Sequence, residues 1–81
     1  MKVRLRFFAS LREQLRMSEC EMELPEQATV RRVWDTLCAD HPEIERFGAS
    51  VSFAVNREYA DGDAALRDGD EVAFIPPVSG G

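Results

Sequence analysis

The sequence predicts an α+β domain: a mixed sheet of about five strands, one main helix packed across one face, and a short first helix. Three observations carry this expectation. Apolar residues alternate with polar ones near both ends of the chain, at Val3, Leu5, Phe7 and again at Val72 and Phe74. Between them, Val30, Val33, Trp34, Leu37 and Cys38 follow the i, i+3, i+4, i+7, i+8 spacing of an amphipathic helix. Proline and glycine punctuate the segments that connect these runs. With 81 residues the chain fits one domain. A domain of this size buries only about 60% of its unfolded surface, so its core has to be efficient.

The elements follow in order. Lys2 to Phe8 reads as a half-buried strand, with Lys2, Arg4 and Arg6 on the solvated face. Phe8 breaks the alternation by placing a large apolar group on that charged face. Ala9 to Arg16 favours helix, with Leu11 and Leu15 on one side. Ser18 to Leu24 alternates again, Cys20, Met22 and Leu24 against Glu19, Glu21 and Glu23. If this strand runs antiparallel to the first, its acidic row lies near Lys2, Arg4 and Arg6, where opposed charges contribute about 0.2–1 kcal/mol per pair.

Pro25 ends that strand, and Thr29 is a suitable N-cap for the main helix because its hydroxyl can accept a first-turn amide. The helix is expected to stop near Asp40 and His41, since Pro42 disfavours helical geometry before it. A short connection carrying Phe47 and Gly48 follows. Val51, Phe53 and Val55 then form a third strand, Asn56 and Arg57 a turn, and Glu58 to Ala60 a short edge strand. Asp61-Gly62 and Asp68-Gly69 are turn signals, glycine supplying positive φ without steric cost. Glu71 to Ile75 is apolar enough to be a central strand, and Pro76-Pro77 stops it because neither residue has an amide hydrogen. This order satisfies the β-grasp (ubiquitin-like) fold, in which the last strand lies parallel to the first at the sheet centre.

Composition excludes several classes of function. A net charge of -5 argues against nucleic acid, whose phosphates need a basic face. No apolar run approaches the ~20 residues of a membrane span, and no signal-peptide pattern opens the sequence. The expectation is a soluble, cytoplasmic protein. Cys20 and Cys38 are too few and too far apart for a zinc ribbon, a CxxC redox site or an iron–sulfur cluster. Both fall on apolar faces and are expected to be buried structural thiols, neither of them a persulfide carrier. His41 falls at a helix C-terminus with no Cys or Ser nucleophile nearby, so no catalytic role is assigned to it. Asp61, Asp63, Asp68, Asp70 and Glu71 lack calcium-loop spacing and read as turn formers and solvated surface. They would also steer the chain towards a basic partner.

Residues 1–77 are therefore expected to form the β-grasp domain, and residues 78–81 a flexible tail of Val78, Ser79, Gly80 and Gly81. Four extended residues reach at most ~13–14 Å, enough to enter a neighbouring protein's pocket. A terminal glycine has no Cβ, so it can thread a narrow channel and place its carboxylate beside a nucleotide. Coupling to AMP would give a reactive acyl-adenylate, and a sulfur donor could then displace AMP to leave a thiocarboxylate. The plain alternative is a frayed glycine-rich end without chemistry.

The residues also resemble a known family. Lys2 to Glu13, with Phe7-Phe8-Ala9 and Leu11-Arg12-Glu13, is similar to the opening of the small subunit of molybdopterin synthase. Asp68-Gly69-Asp70-Glu71-Val72-Ala73-Phe74 followed by Pro76-Pro77-Val78-Ser79-Gly80-Gly81 is similar to its ending. Ala54-Val55-Asn56 and the chain length fit as well, and the C-terminal block is the specific part. The resemblance implies a β-grasp sulfur carrier for molybdenum cofactor biosynthesis, working in a heterotetramer of two small and two large subunits. It implies that Gly81 is adenylated by a ubiquitin-activating-like adenylyltransferase using ATP, is converted to a thiocarboxylate by a sulfur donor, and enters the large subunit's active site. The carrier itself would be non-catalytic and bind no cofactor or metal, the catalytic residues lying on the large subunit.

Pattern and resemblance together suggest the partner surface. Phe8 lies off the core phase of its strand, and Ile75 points opposite to Val72 and Phe74 on the last one. If those strands are adjacent, Phe8 and Ile75 form an apolar patch on the sheet face the helix leaves open, with Tyr59 extending it and Arg12 rimming it. Pro76, Pro77, Val78 and Ser79 are expected to contact partners along with the tail. The alternative is that the short first helix covers Phe8 and Ile75 as a second small core. Competing functions are a sulfur carrier for thiamine biosynthesis or tRNA thiolation, a ubiquitin-like modifier, and a β-grasp binding module without tail chemistry.

Overall fold

The computed structural model describes residues 1–77; the expected tail positions Val78, Ser79, Gly80 and Gly81 lie outside the described residues. Along the chain run β1 (Lys2–Phe7), α1 (Ala9–Leu15), β2 (Glu19–Glu23), α2 (Val30–Asp40), a 3₁₀ segment (Pro42–Phe47), β3 (Ser52–Val55), β4 (Glu58–Ala60) and β5 (Glu71–Ile75). The strands form one five-stranded sheet in the order β2-β1-β5-β3-β4. β5 lies parallel to β1 and antiparallel to β3, so the last strand to be made is the central one. This is the β-grasp arrangement expected from the sequence.

Alternation decides which face is buried. In β1, Val3, Leu5 and Phe7 are exposed by 2% or less, and in β5 Val72 and Phe74 are fully buried. The helix α2 lays Val30, Val33, Trp34, Leu37 and Cys38 against them, the five positions its periodicity selects. Thr29 caps it as expected, its hydroxyl accepting the Arg32 N–H at 3.3 Å. Leu11 and Leu15 bring α1 onto the same core, which leaves the opposite sheet face uncovered by either helix. Opposite rows of charge face each other across β1 and β2, Lys2 with Glu23, Arg4 with Glu21 and Arg6 with Glu19. Among the described residues, however, the carboxylate that Arg6 pairs with is Glu71, at 3.9 Å.

Several expectations need correction. β1 stops at Phe7, because the Phe8 carbonyl already accepts amides of the first helix, from Leu11 at 3.1 Å and Arg12 at 3.3 Å. The connection after α2 is a 3₁₀ segment whose Ile44 is wholly buried, a core residue the periodic pattern does not show. Leu66, in the long loop before β5, is likewise buried. Gly69 has the positive φ, 87°, that its turn was expected to need. Gly62 does not have the positive φ expected of its turn, and a Cβ there would meet only the movable guanidinium of Arg31, Nη2 at 2.6 Å. Cys20 is half-buried rather than buried, because β2 is an edge strand with a core neighbour on one side only.

Ile44→Ala should destabilise the fold by about 2–5 kcal/mol, the usual cost of emptying a packed aliphatic site. Tyr59, 80% exposed, should tolerate Ala within about 0.5 kcal/mol. Urea denaturation of both variants checks this; a small effect at Ile44 would mean the 3₁₀ segment lies outside the cooperative core.

Candidate functional site

The uncovered sheet face holds an open depression of about 320 Å³ lined by Arg6, Phe8, Ala54, Arg57, Tyr59, Glu71, Ala73 and Ile75. Its shape follows from residue size. Ala54 and Ala73 pair directly across β3 and β5, so the middle of the face is floored by two methyl groups. Larger side chains stand around them. Phe8 continues the extended backbone of β1, at φ -128° and ψ 155°, and so points opposite to the buried Phe7. Ile75 ends β5 on the side opposite Phe74, and Tyr59 sits on β4 across from Ala54. The expected apolar meeting of Phe8, Ile75 and Tyr59 is thus present, and α1 does not cover it.

Arg12 does not line this depression. It is exposed on α1, while the two arginines at the depression are Arg6 and Arg57, which pattern reading left unassigned. Arg6 lies 5.4 Å from the Phe8 ring centroid, a cation–π distance. Arg57 is brought there by the two-residue β3–β4 turn, whose register pairs Val55 with Glu58. Strand phase could have placed Ala54, Ala73 and Arg6 on the open face. The sheet order was needed to bring β3 and β4 beside them. Of the two prolines after β5, Pro76 is buried and Pro77 exposed. Gly81, Gly80, Ser79 and Val78, named as working and partner-contacting residues, lie outside the described residues.

The other candidates are accounted for structurally. Asp68 Oδ1 accepts the Lys2 N–H at 2.7 Å, Asp61 Oδ1 accepts the Asp63 N–H at 2.9 Å, and Asp70 Oδ2 accepts the Arg67 N–H at 2.8 Å. These carboxylates hold turns. A further depression of about 340 Å³ is lined by Lys2, Val3, Arg4, Glu21, Asp68, Gly69 and Glu71, a wall of mixed charge. His41 Nδ1 stands 3.6 Å from Glu43 Oε2 at the end of α2. Burial pushes the thiol pKa of Cys20 up; for Cys38 burial does so first, and the carboxylates of Glu45 and Asp35 add to it. Among the described residues no group of His, Cys, Asp and Glu could hold a metal ion, and no helix is long and apolar enough to cross a membrane.

A helix-backed mixed sheet with β5 parallel to β1 at its centre defines a ubiquitin-like β-grasp protein. Within that class the ThiS family matches residues 5–81, and the chain belongs to that family. It is 37% identical over 83 residues to the molybdopterin synthase sulfur carrier subunit of Chlamydomonas reinhardtii, with 100% of both chains covered. It is 35% identical over 82 residues to the protein of the same description from Mycobacterium tuberculosis, covering 100% of this chain and 99% of the relative. Among solved structures, SAMP1 of Haloferax volcanii, a small archaeal modifier protein, superposes with a TM-score of 0.89 at 29% identity, 100% of both chains covered.

Because both thiols are shifted away from ionisation, each should react with a maleimide or disulfide reagent at pH 7 more slowly than free cysteine, the rate rising with pH as the thiolate fraction grows. Cysteine labelling followed by mass spectrometry measures this; a fast thiol at neutral pH would contradict the structural assignment.

Proposed function

We propose that this chain is the sulfur-carrier subunit of molybdopterin synthase. The observation that carries the reading is the end-to-end 37% identity to a carrier subunit of that description, within a family match that extends through Gly80 and Gly81. The geometry supports it. The folded domain supplies a docking face, and β5 leads from the centre of that face into Pro76-Pro77 and the residues beyond. Docking through Phe8, Tyr59 and Ile75 would therefore register the tail with the partner.

In this reading Gly81 is the working group. Its carboxylate attacks the α-phosphate of ATP on a ubiquitin-activating-like adenylyltransferase, releasing pyrophosphate and leaving a glycyl adenylate. Hydrosulfide released by a sulfur donor then attacks the carbonyl carbon and AMP leaves, giving the thiocarboxylate. On the large subunit each thiocarboxylate passes one of the two dithiolene sulfurs to a pterin precursor, and water returns the acyl tail to a carboxylate. This chain supplies the handle, its partners supply catalysis, and ATP is consumed by the activating enzyme in the cytoplasm. The absent Cβ at Gly80 and Gly81 suits a narrow channel. The likeness to SAMP1 favours a second reading, attachment to other proteins as a modifier through the same activated glycine.

Incubation with ATP, the activating enzyme and a sulfur donor should convert the C-terminal carboxylate to a thiocarboxylate. High-resolution mass spectrometry localises the exchange of one oxygen for sulfur to Gly81 and resolves it from methionine oxidation. Deleting Gly81 should abolish sulfur transfer without changing the unfolding midpoint. An unmodified tail, with the enzyme active on a known carrier, would overturn the proposal, and conjugates of higher mass would support the modifier reading. Phe8→Asp or Ile75→Asp should weaken the complex with the large subunit at least about tenfold while the domain stays folded, as titration calorimetry would read.

A further inference from the structure

The docking face is more basic than the chain that carries it. The whole chain has a net charge of -5, yet the depression is lined by two arginines, Arg6 and Arg57, against one carboxylate, Glu71. Arg57 is also held in an unusual backbone conformation. It is the second residue of the β3–β4 turn, with φ 72° after Asn56 at φ 51°. Glycine satisfies that position best, because an L side chain is strained in the left-handed region. Arg57 therefore carries its guanidinium on a strained turn at the edge of the depression.

The backbone of the turn that carries Arg57 is anchored to the start of β5. The Asn56 Nδ2 donates to Asp70 Oδ1 at 3.0 Å, and Asn56 Oδ1 accepts the Glu71 N–H at 3.1 Å. The Asn56 N–H donates to the Glu71 carbonyl at 2.8 Å, so the turn is tied to the start of β5 beside the depression. Arg6 is held from the other side, over the Phe8 ring at 5.4 Å and 3.9 Å from the Glu71 carboxylate. That pair is solvent-accessible, with side-chain exposures of 39% and 26%, so its attraction is largely screened and easily exchanged for another carboxylate.

We propose that Arg6 and Arg57 form a carboxylate-reading clamp around the apolar depression, and that the docked partner presents an apolar side chain flanked by acidic residues. The clamp rests on the reading of this face as the carrier's docking surface, and it names the chemistry of the partner's side. Guanidinium groups suit the task because their planar donors match a carboxylate in two-point geometry. A second copy of the chain is a poor occupant, since two such faces would set arginine against arginine. Glu71 is the internal stand-in: its weak, screened pairing with Arg6 competes with the partner's carboxylate. Net charge alone points to a basic partner; the local rim points to an acidic patch.

The test is calorimetric titration of the molybdopterin synthase large subunit from the same organism with the carrier and its variants. Arg6→Glu and Arg57→Glu should each weaken binding about tenfold or more. Glu71→Gln should tighten it, since a competing carboxylate is removed. Arg57→Gly should keep or raise the unfolding midpoint while weakening binding, which separates the clamp from a role in folding. Binding within twofold of wild type for both charge reversals, or weaker binding by Glu71→Gln, would overturn the clamp. Phe8→Asp keeps the two layers of the argument apart. If it weakens the complex and the arginine variants do not, the clamp alone fails; if it also binds unchanged, the docking face itself fails.

Discussion

The parallel pairing of β1 with β5 is the constraint from which the rest of the structure follows. Leu5 stands beside Val72 and Phe7 beside Phe74, and the two phenyl rings stack at 6.0 Å with their planes 19° apart. Phe74 also meets Trp34 at 5.6 Å and Phe53 at 5.6 Å, so α2 and β3 are packed on the same ring. Parallel neighbours need a long crossover, and here the crossover contains every other element. Because side chains alternate along a strand, seating Phe7 and Phe74 inward turns Phe8 and Ile75 outward at the same end of the sheet. A slip of one residue would exchange the two sets and lose both core and docking face.

The free face owes its character to small residues and to charge. Alanine at 54 and 73 leaves a hollow where a valine or leucine would have filled the sheet surface. Phe8, Tyr59 and Ile75 give the hollow apolar walls, and Arg6, Arg57 and Glu71 give it a charged edge. Interfaces with an apolar centre and a charged rim draw affinity from the centre and selectivity from the rim. The acidic loops before β5 contribute differently. Their carboxylates accept backbone amides at the turns, so their role is to hold the approach to the central strand.

Burial also sets the character of the two cysteines, half-buried at Cys20 and buried at Cys38. A sulfur carrier with two thiols invites a persulfide mechanism, but both thiols are shifted towards their neutral form, and the neutral form is a poor nucleophile. In the proposed chemistry the sulfur is held at the carboxyl carbon of Gly81, while Cys38 packs in the core and Cys20 at its edge.

The sequence by itself determined the elements with strong periodicity. The stripe from Val30 to Cys38, the alternation at Val3, Leu5 and Phe7, the Thr29 cap and the Asn56-Arg57 turn are local consequences of residue type and spacing, and all appear where expected. The outward placement of Phe8 and Ile75 was legible for the same reason, since it is a statement about phase. Ile44 and Leu66 were not legible, because each is a single apolar residue in an aperiodic segment and only packing against distant strands buries it. Nor was the rim: Arg12 looked the natural neighbour of Phe8 in sequence, yet Arg6 and Arg57 stand at the depression. Strand order and register decide which residues of separate strands meet, and they are set by long-range pairing that no local pattern encodes. Phase says which way a side chain points; only the folded sheet decides what stands beside it.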